Sequence, residues 1–214
     1  MEINYKSLIS ESTTPFFTRQ NLKILLGRNR RTVDYRIKSL IKDGILVAVK
    51  SGFYVNNVLY KSTSTPKDMV LYIGGILVPQ SYVSLEYALS FYGFLAEQVY
   101  TVTYITTQKT RKFQNNLFSF SYRNIKPALY WGYMKRPFGD LSYQMASPAK
   151  AMFDFLYLTP AGTDQATRNL LFDSRFNWGV FSAKDKKEFQ EIIEKSTSKK
   201  MANILKYLTQ ENVI

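Results

Sequence analysis

The sequence predicts an α+β fold in two parts: an N-terminal winged helix-turn-helix, then a second α+β unit with a small antiparallel sheet and flanking helices. Three observations carry this. Two amphipathic stretches, Thr18–Leu26 and Arg30–Lys42, are separated only by a Gly27-centred turn, and a short hairpin pattern follows them. A polar, low-complexity run, KSTSTP (Lys61–Pro66), then interrupts the chain. Beyond it, alternating apolar segments between residues 98 and 133 give way to helical periodicity.

The first part is organised around GRNRRTVDYRIKSLIKDG (Gly27–Gly44). Gly27 has no Cβ and can reverse the chain between two helices. Asn29 stands where an N-cap belongs, so Arg30, Arg31 and Thr32 fall in the first turn. Val33, Ile37, Leu40 and Ile41 form one apolar stripe, and at about 100° per residue Arg31, Tyr35, Lys38 and Lys42 lie opposite. A helix held by one side in this way can lay cationic, hydrogen-bonding side chains into a major groove. Arg31, Thr32, Tyr35 and Lys38 are expected at base edges. Arg19, Gln20, Arg28 and Arg30 are expected at phosphates, with Arg36 on the flank of the helix. Lys50 and Ser51 would extend the contact from a wing made of Ile45–Val49 and Phe53–Val55. A preceding helix from Glu2 to about Ser12, facing in through Ile3, Leu8 and Ile9, would complete the core.

Composition limits the chemistry. The chain has 214 residues, no cysteine and no histidine, so disulfides, thiol nucleophiles, cysteine-held zinc and an imidazole base are all excluded. Catalysis would have to use carboxylates, Lys, Tyr or an oxygen-liganded metal. Asp140, Asp154, Asp164 and Asp173 are isolated in sequence, and Asp185-Lys186-Lys187 sits at a charged helix start without a companion acid. We therefore expect no enzyme, no cofactor and no metal. No secretory leader or membrane-spanning stretch is expected, and the reading is of a cytoplasmic protein.

The formal net charge of +13 is concentrated. Residues 1–50 hold 10 Lys and Arg against 4 acids, and residues 98–139 hold 7 with no acid. A polyanionic partner accounts for the first excess. The second stretch, with Lys109, Arg111, Lys112, Arg123 and Lys126 among aromatics, is either the solvated side of a sheet or a second nucleic-acid surface, for DNA beside the operator or for RNA.

Domains are expected at 1–62 and 67–214. In the second, Lys67–Leu77 and Ser81–Tyr92 read as helices, the latter through Leu85, Ala88 and Leu89. Gln98–Thr106 and Leu117–Arg123 read as a strand hairpin, with Ala128–Tyr133 a third strand. After Asp140 helices are expected from Ser147-Pro148 to Thr159, over Thr163–Ser174, over Ser182–Lys195 and over Ser198–Leu208.

Three stretches of this second part carry a family resemblance: PQSYVSLEYALSFYGFLAE (Pro79–Glu97), the basic segment Thr106–Phe113, and MASPAKAMFDFLYL (Met145–Leu158). With them the chain resembles the AbiEi family, antitoxins of bacterial type IV abortive-infection toxin–antitoxin systems. Lys150 and Asp154 match the family's last block. Ala149 stands where the family commonly has an acid, so no role of that acid transfers. The resemblance implies a bifunctional protein. Its first domain would repress its own operon at operator inverted repeats, as a monomer in solution or a dimer on DNA. Its second would counteract a nucleotidyltransferase-like toxin, through a surface that includes Lys150 and Asp154. Two other readings stay open: a winged-helix regulator with a ligand-sensing or dimerising second domain, and a DNA-tethered metal-dependent nuclease or transferase.

Overall fold

A computed structural model describes residues 4–27, 29–173 and 176–214. The chain is mixed α and β, with one three-stranded antiparallel sheet and one six-stranded mixed sheet.

Helix α1 (Tyr5–Ser10) is capped by Asn4 and strand β1 covers Phe16–Thr18. Helices α2 (Arg19–Leu26) and α3 (Arg30–Lys42) follow, then β2 (Leu46–Lys50) and β3 (Phe53–Asn56). The expected two-stranded wing is a three-stranded sheet ordered β1-β3-β2, because Phe16–Thr18 pairs with Phe53–Val55. The core beneath it holds Ile9, Leu22, Leu26, Val33, Ile37 and Leu40. Leu8 and Ile41, expected to face inward, are exposed, since one side of such short helices is all the small core can cover. Ile3 lies outside the described residues.

Of the segment expected to be a linker, Lys61–Pro66, residues 63–65 lie outside regular structure and both ends belong to helices. Asn56 caps a short helix, α4 (Asn57–Ser62), and its amide donates to the carbonyls of Ile9, Ser12 and Thr14. Pro66 then opens α5 (Pro66–Leu77). Strand β3 serves both parts of the molecule. Its alternation sends Tyr54 into the small core and Phe53 and Val55 into the larger one.

The larger sheet runs β6-β7-β5-β4-β9-β8. Its strands are β4 (Ser81–Val83), β5 (Val102–Thr106), β6 (Arg111–Gln114), β7 (Ser119–Asn124), β8 (Tyr133–Phe138) and β9 (Leu141–Ala146). Four expectations change here. Ser81–Val83 is a strand, so helix α6 is only Leu85–Phe91. β5 and β7 do not form a hairpin but pair in parallel, with β6 returning along the far side of β7. Ala128–Tyr133 begins in the 3-10 turn Pro127–Leu129 and runs on without regular structure over 130–132, and the strand starts only at Tyr133. Leu141–Ala146, ahead of the helix expected from Ser147-Pro148, is a further strand that was not foreseen, so the sheet is six-stranded and mixed rather than small and antiparallel.

The remaining helices are α7 (Pro148–Leu158), α8 (Asp164–Arg168), α9 (Ala183–Ser196) and α10 (Lys199–Gln210). A π-helical turn, Asn169–Asp173, extends α8 through the segment expected to reach Ser174, which is outside the described residues. Among the described residues no helix is long and apolar enough to cross a membrane.

Candidate nucleic-acid interface

The α2–α3 corner is built by caps. Thr18 and Asn21 form a reciprocal capping box at the start of α2, and Asn29 accepts from the amides of Arg31 and Thr32 at the start of α3. Gly27 between them has φ +126°, a left-handed value that a side chain would strain. Val33, Ile37 and Leu40 fix α3 against its neighbours.

The opposite side of α3 is open. Arg31, Thr32, Tyr35, Lys38 and Lys42 are exposed, Tyr35 by 71%. A notch of about 500 Å³ separates the first turns of α2 and α3, lined by Arg19, Gln20, Lys23, Arg30 and Val33. Asp34 stands beside it, with one carboxylate oxygen 2.5 Å from Arg19 Nη2 and the other 3.9 Å from Arg30 Nε. That acid aims Arg19 and offsets part of the positive field. Sequence patterning did not single it out. Arg28 lies outside the described residues.

Two cations expected at DNA are engaged elsewhere. Arg36 donates to the Leu26 carbonyl at the end of α2, and its guanidinium lies 5.0 Å from the centre of the Tyr5 ring. It fastens α1, α2 and α3 together. Lys50 donates to the Leu77 carbonyl at 3.0 Å and sits 5.5 Å from the centre of the Phe113 ring, drawn to the C-terminal end of α5. Asn115 ties the same strand by donating to Ala48 O. Ser51 remains exposed at the turn.

The basic stretch of the second part does not form one surface. Lys109, Lys112 and Lys126 are exposed. Register places Lys112 and Arg123 on one face of the sheet and Arg111 on the other. Arg111 donates to Lys109 O and Gln108 Oε1, and Arg123 to Leu158 O.

Lys150 and Asp154 correct the surface expectation most sharply. Both are fully buried. Lys150 Nζ is 2.5 Å from Asp154 Oδ1, while Tyr82 Oη and Ser84 Oγ donate to Oδ2 at 2.9 and 2.8 Å. The rings of Phe153, Trp131 and Tyr82 surround the ammonium, with centroids 4.9, 5.8 and 5.9 Å away. Burial pushes the Lys150 ammonium below and the Asp154 carboxyl above their ordinary ranges, opposing the attraction between them. A usable signal was present, since apart from Lys150 and Asp154 themselves the α7 sequence PAKAMFDFLYL is apolar round most of its circumference, and such a helix is buried. Two of the stretches carrying the resemblance, Pro79–Glu97 and Met145–Leu158, thus meet in one polar cluster inside the core.

Among the described residues no three His, Cys, Asp or Glu side chains come together as a metal site. No protein-family model matches this chain, and no curated protein matches it.

Proposed function

We propose that the first part of the chain is a winged helix-turn-helix that binds operator DNA, and that the protein is a transcriptional autorepressor. The exposed side of α3 carries the reading. Arg31, Tyr35, Lys38 and Lys42 project from a helix whose other side is locked by Val33, Ile37 and Leu40, so the cationic row is presented at fixed spacing. Asn29 directs α3's first amides to its own side chain, which leaves recognition to side chains rather than to the helix terminus.

The second part is read as the antitoxin half, acting against a nucleotidyltransferase-like toxin. The support is the resemblance of Pro79–Glu97, Thr106–Phe113 and Met145–Leu158 to the AbiEi family. In this reading Lys150 and Asp154 hold the domain's core in register rather than touching the toxin, because neither reaches solvent.

The test has two arms. A gel shift of the full chain on its own promoter should give salt-dependent retention on inverted repeats, lost with Arg31→Ala. Co-expression with the toxin encoded beside it should restore growth. Retention unaffected by Arg31→Ala would overturn the first half, and unrelieved toxicity the second.

A further inference from the structure

The face of the six-stranded sheet that meets the start of α6 is left uncovered toward its β6 edge. Directly paired residues share a face, so Thr103 on β5, Ser121 on β7 and Lys112 on β6 stand in one row, with Arg123 diagonal to Lys112. Glu86, in the first turn of α6, forms the wall beside Thr103, whose hydroxyl accepts from the Tyr87 amide. These groups line an open cavity of about 430 Å³.

Its hydrogen-bonding capacity is polarised. Thr103 Oγ1 is spent, donating to Ser84 O. Thr101 and Ser119 satisfy each other across 2.9 Å. What remains, besides the exposed Gln114 amide at the β6 rim, is a cationic end and an acceptor end. Lys112 has no acid partner among the described residues, and Arg123 gives one N–H to Leu158 O and keeps others. The Ser121 hydroxyl makes no hydrogen bond to a described residue and opens onto the cavity between the two ends. At the opposite wall the Glu86 carboxylate accepts only. A simple dianion satisfies one end and is repelled by the other. From Thr103 to Lys112 is two strand spacings, about 10 Å, comparable to the reach from a nucleotide's phosphate to the far edge of its base.

We propose that this cavity binds a nucleotide whose base carries an exocyclic amino group. The phosphate lies between Lys112 and Arg123, where a guanidinium fork and a point charge both favour it. The sugar passes the Ser121 hydroxyl, and the amino group donates to Glu86, the pairing a carboxylate makes with cytosine N4. The ligand is either a free nucleotide or one unit of a single strand. The site is separate from α3, and operator binding is a separate readout, so the two readings fail independently.

Isothermal titration of the full chain with CMP, UMP and cytidine tests this. CMP should bind, cytidine at least tenfold more weakly for want of a phosphate, and UMP several-fold more weakly for want of the amino donor. Lys112→Glu, on an exposed edge position, should abolish CMP binding without changing the circular dichroism spectrum. Glu86→Gln should narrow the CMP-to-UMP difference, because an amide can also donate to the uracil carbonyl. Short oligocytidylate that binds tenfold tighter than CMP, and loses this with Lys112→Glu, assigns the site to a single strand. Equal affinities assign it to the free nucleotide. No heat of binding with CMP at millimolar concentration, or binding that Lys112→Glu leaves intact, overturns the proposal.

Discussion

Lys150 and Asp154 form an ion pair one turn apart on α7 with neither side chain reaching solvent, and the carboxylate's second oxygen is closed off by Tyr82 and Ser84 from another part of the chain. An exposed pair at this spacing contributes only a few tenths of a kcal/mol. Inside the core the same two residues become a constraint on how α7 meets the sheet.

The two partners are therefore expected to respond differently from a surface pair. Lys150→Met should destabilise by about 3–5 kcal/mol, because it leaves a buried carboxylate uncompensated. Asp154→Ala should cost at least as much, since it strands the ammonium and two hydroxyls together. Joint replacement by Lys150→Met and Asp154→Leu should recover most of the loss of the first, as buried pairs often can be exchanged for apolar ones. Urea unfolding of the three variants, compared at equal slope, checks this. A joint variant as unstable as the sum of the singles would show that the Tyr82 and Ser84 hydroxyls dominate.

This pair also marks where sequence reasoning stops. The elements with their own punctuation were legible: α3 between Asn29 and Asp43, α7 from Ser147-Pro148, α9 from Ser182. Caps and prolines act within a turn, so nearby residues disclose them. β4 was not legible, because Ser81–Val83 runs straight into the apolar face of α6 and its pairing with β5 and β9 is decided by distant chain. The parallel pairing of β5 with β7 was hidden for the same reason, since a return through the four-residue β6 and an ordinary hairpin leave similar alternation behind. At the α2–α3 corner charge and periodicity gave the exposed side of α3. They could not tell that Arg36 and Lys50 reach carbonyl groups of the same chain.

Those two cations should separate folding from recognition. Tyr35→Ala is expected to lower discrimination between the operator and unrelated duplex by about 1–3 kcal/mol while leaving thermal stability unchanged, because its ring is 71% exposed. Arg36→Ala should instead lower the melting temperature, having released α2 from α3. Lys50→Ala should behave like Arg36→Ala and not as the loss of a phosphate contact, since its ammonium is committed to Leu77 O. Competition gel shifts and melting curves on the three variants separate the two outcomes.

Asp34 offers a change in the opposite direction. Its carboxylate pairs with Arg19 and approaches Arg30 beside the notch between α2 and α3. Asp34→Asn removes a negative charge from that side and frees both guanidinium groups. Duplex affinity should rise several-fold on all sequences, and the plot of log affinity against log salt should steepen by about one phosphate contact. Unchanged affinity with an unchanged slope would place the duplex away from this notch.

Close packing between α5 and the sheet sets another expectation. A Cβ on Gly74 would overlap the Tyr104 hydroxyl and come within 2.5 Å of its Cζ, while Tyr122 Oη donates to the Gly74 carbonyl at 2.7 Å. Gly74→Ala should thus be destabilising by about 1–3 kcal/mol, the usual range for overpacking, despite alanine's better helix propensity. Adding Tyr104→Phe should not rescue it, because the ring carbon remains in the way. Chemical denaturation of the single and double variants decides the point.

The same tyrosines give the fold an alkaline limit. Tyr104 donates to Leu71 O at 2.9 Å and Tyr82 to Asp154, and burial raises the phenols of Tyr82, Tyr104 and Tyr122 above their ordinary value of 10.0. A group whose folded pKa is raised holds more protons folded than unfolded once the pH passes the unfolded value. Its contribution is whole below about pH 10 and is lost progressively as the pH climbs toward the folded values. Stability measured by urea unfolding should therefore hold steady as far as the phenols are concerned up to about pH 10 and fall beyond it, each phenol adding to the slope. Tyr104→Phe should be less stable at neutral pH, through the lost hydrogen bond, yet lose stability more slowly above pH 10 than the parent chain. Parallel slopes for the two proteins would mean that Tyr104 ionises in the folded state as readily as in the unfolded one, against its complete enclosure.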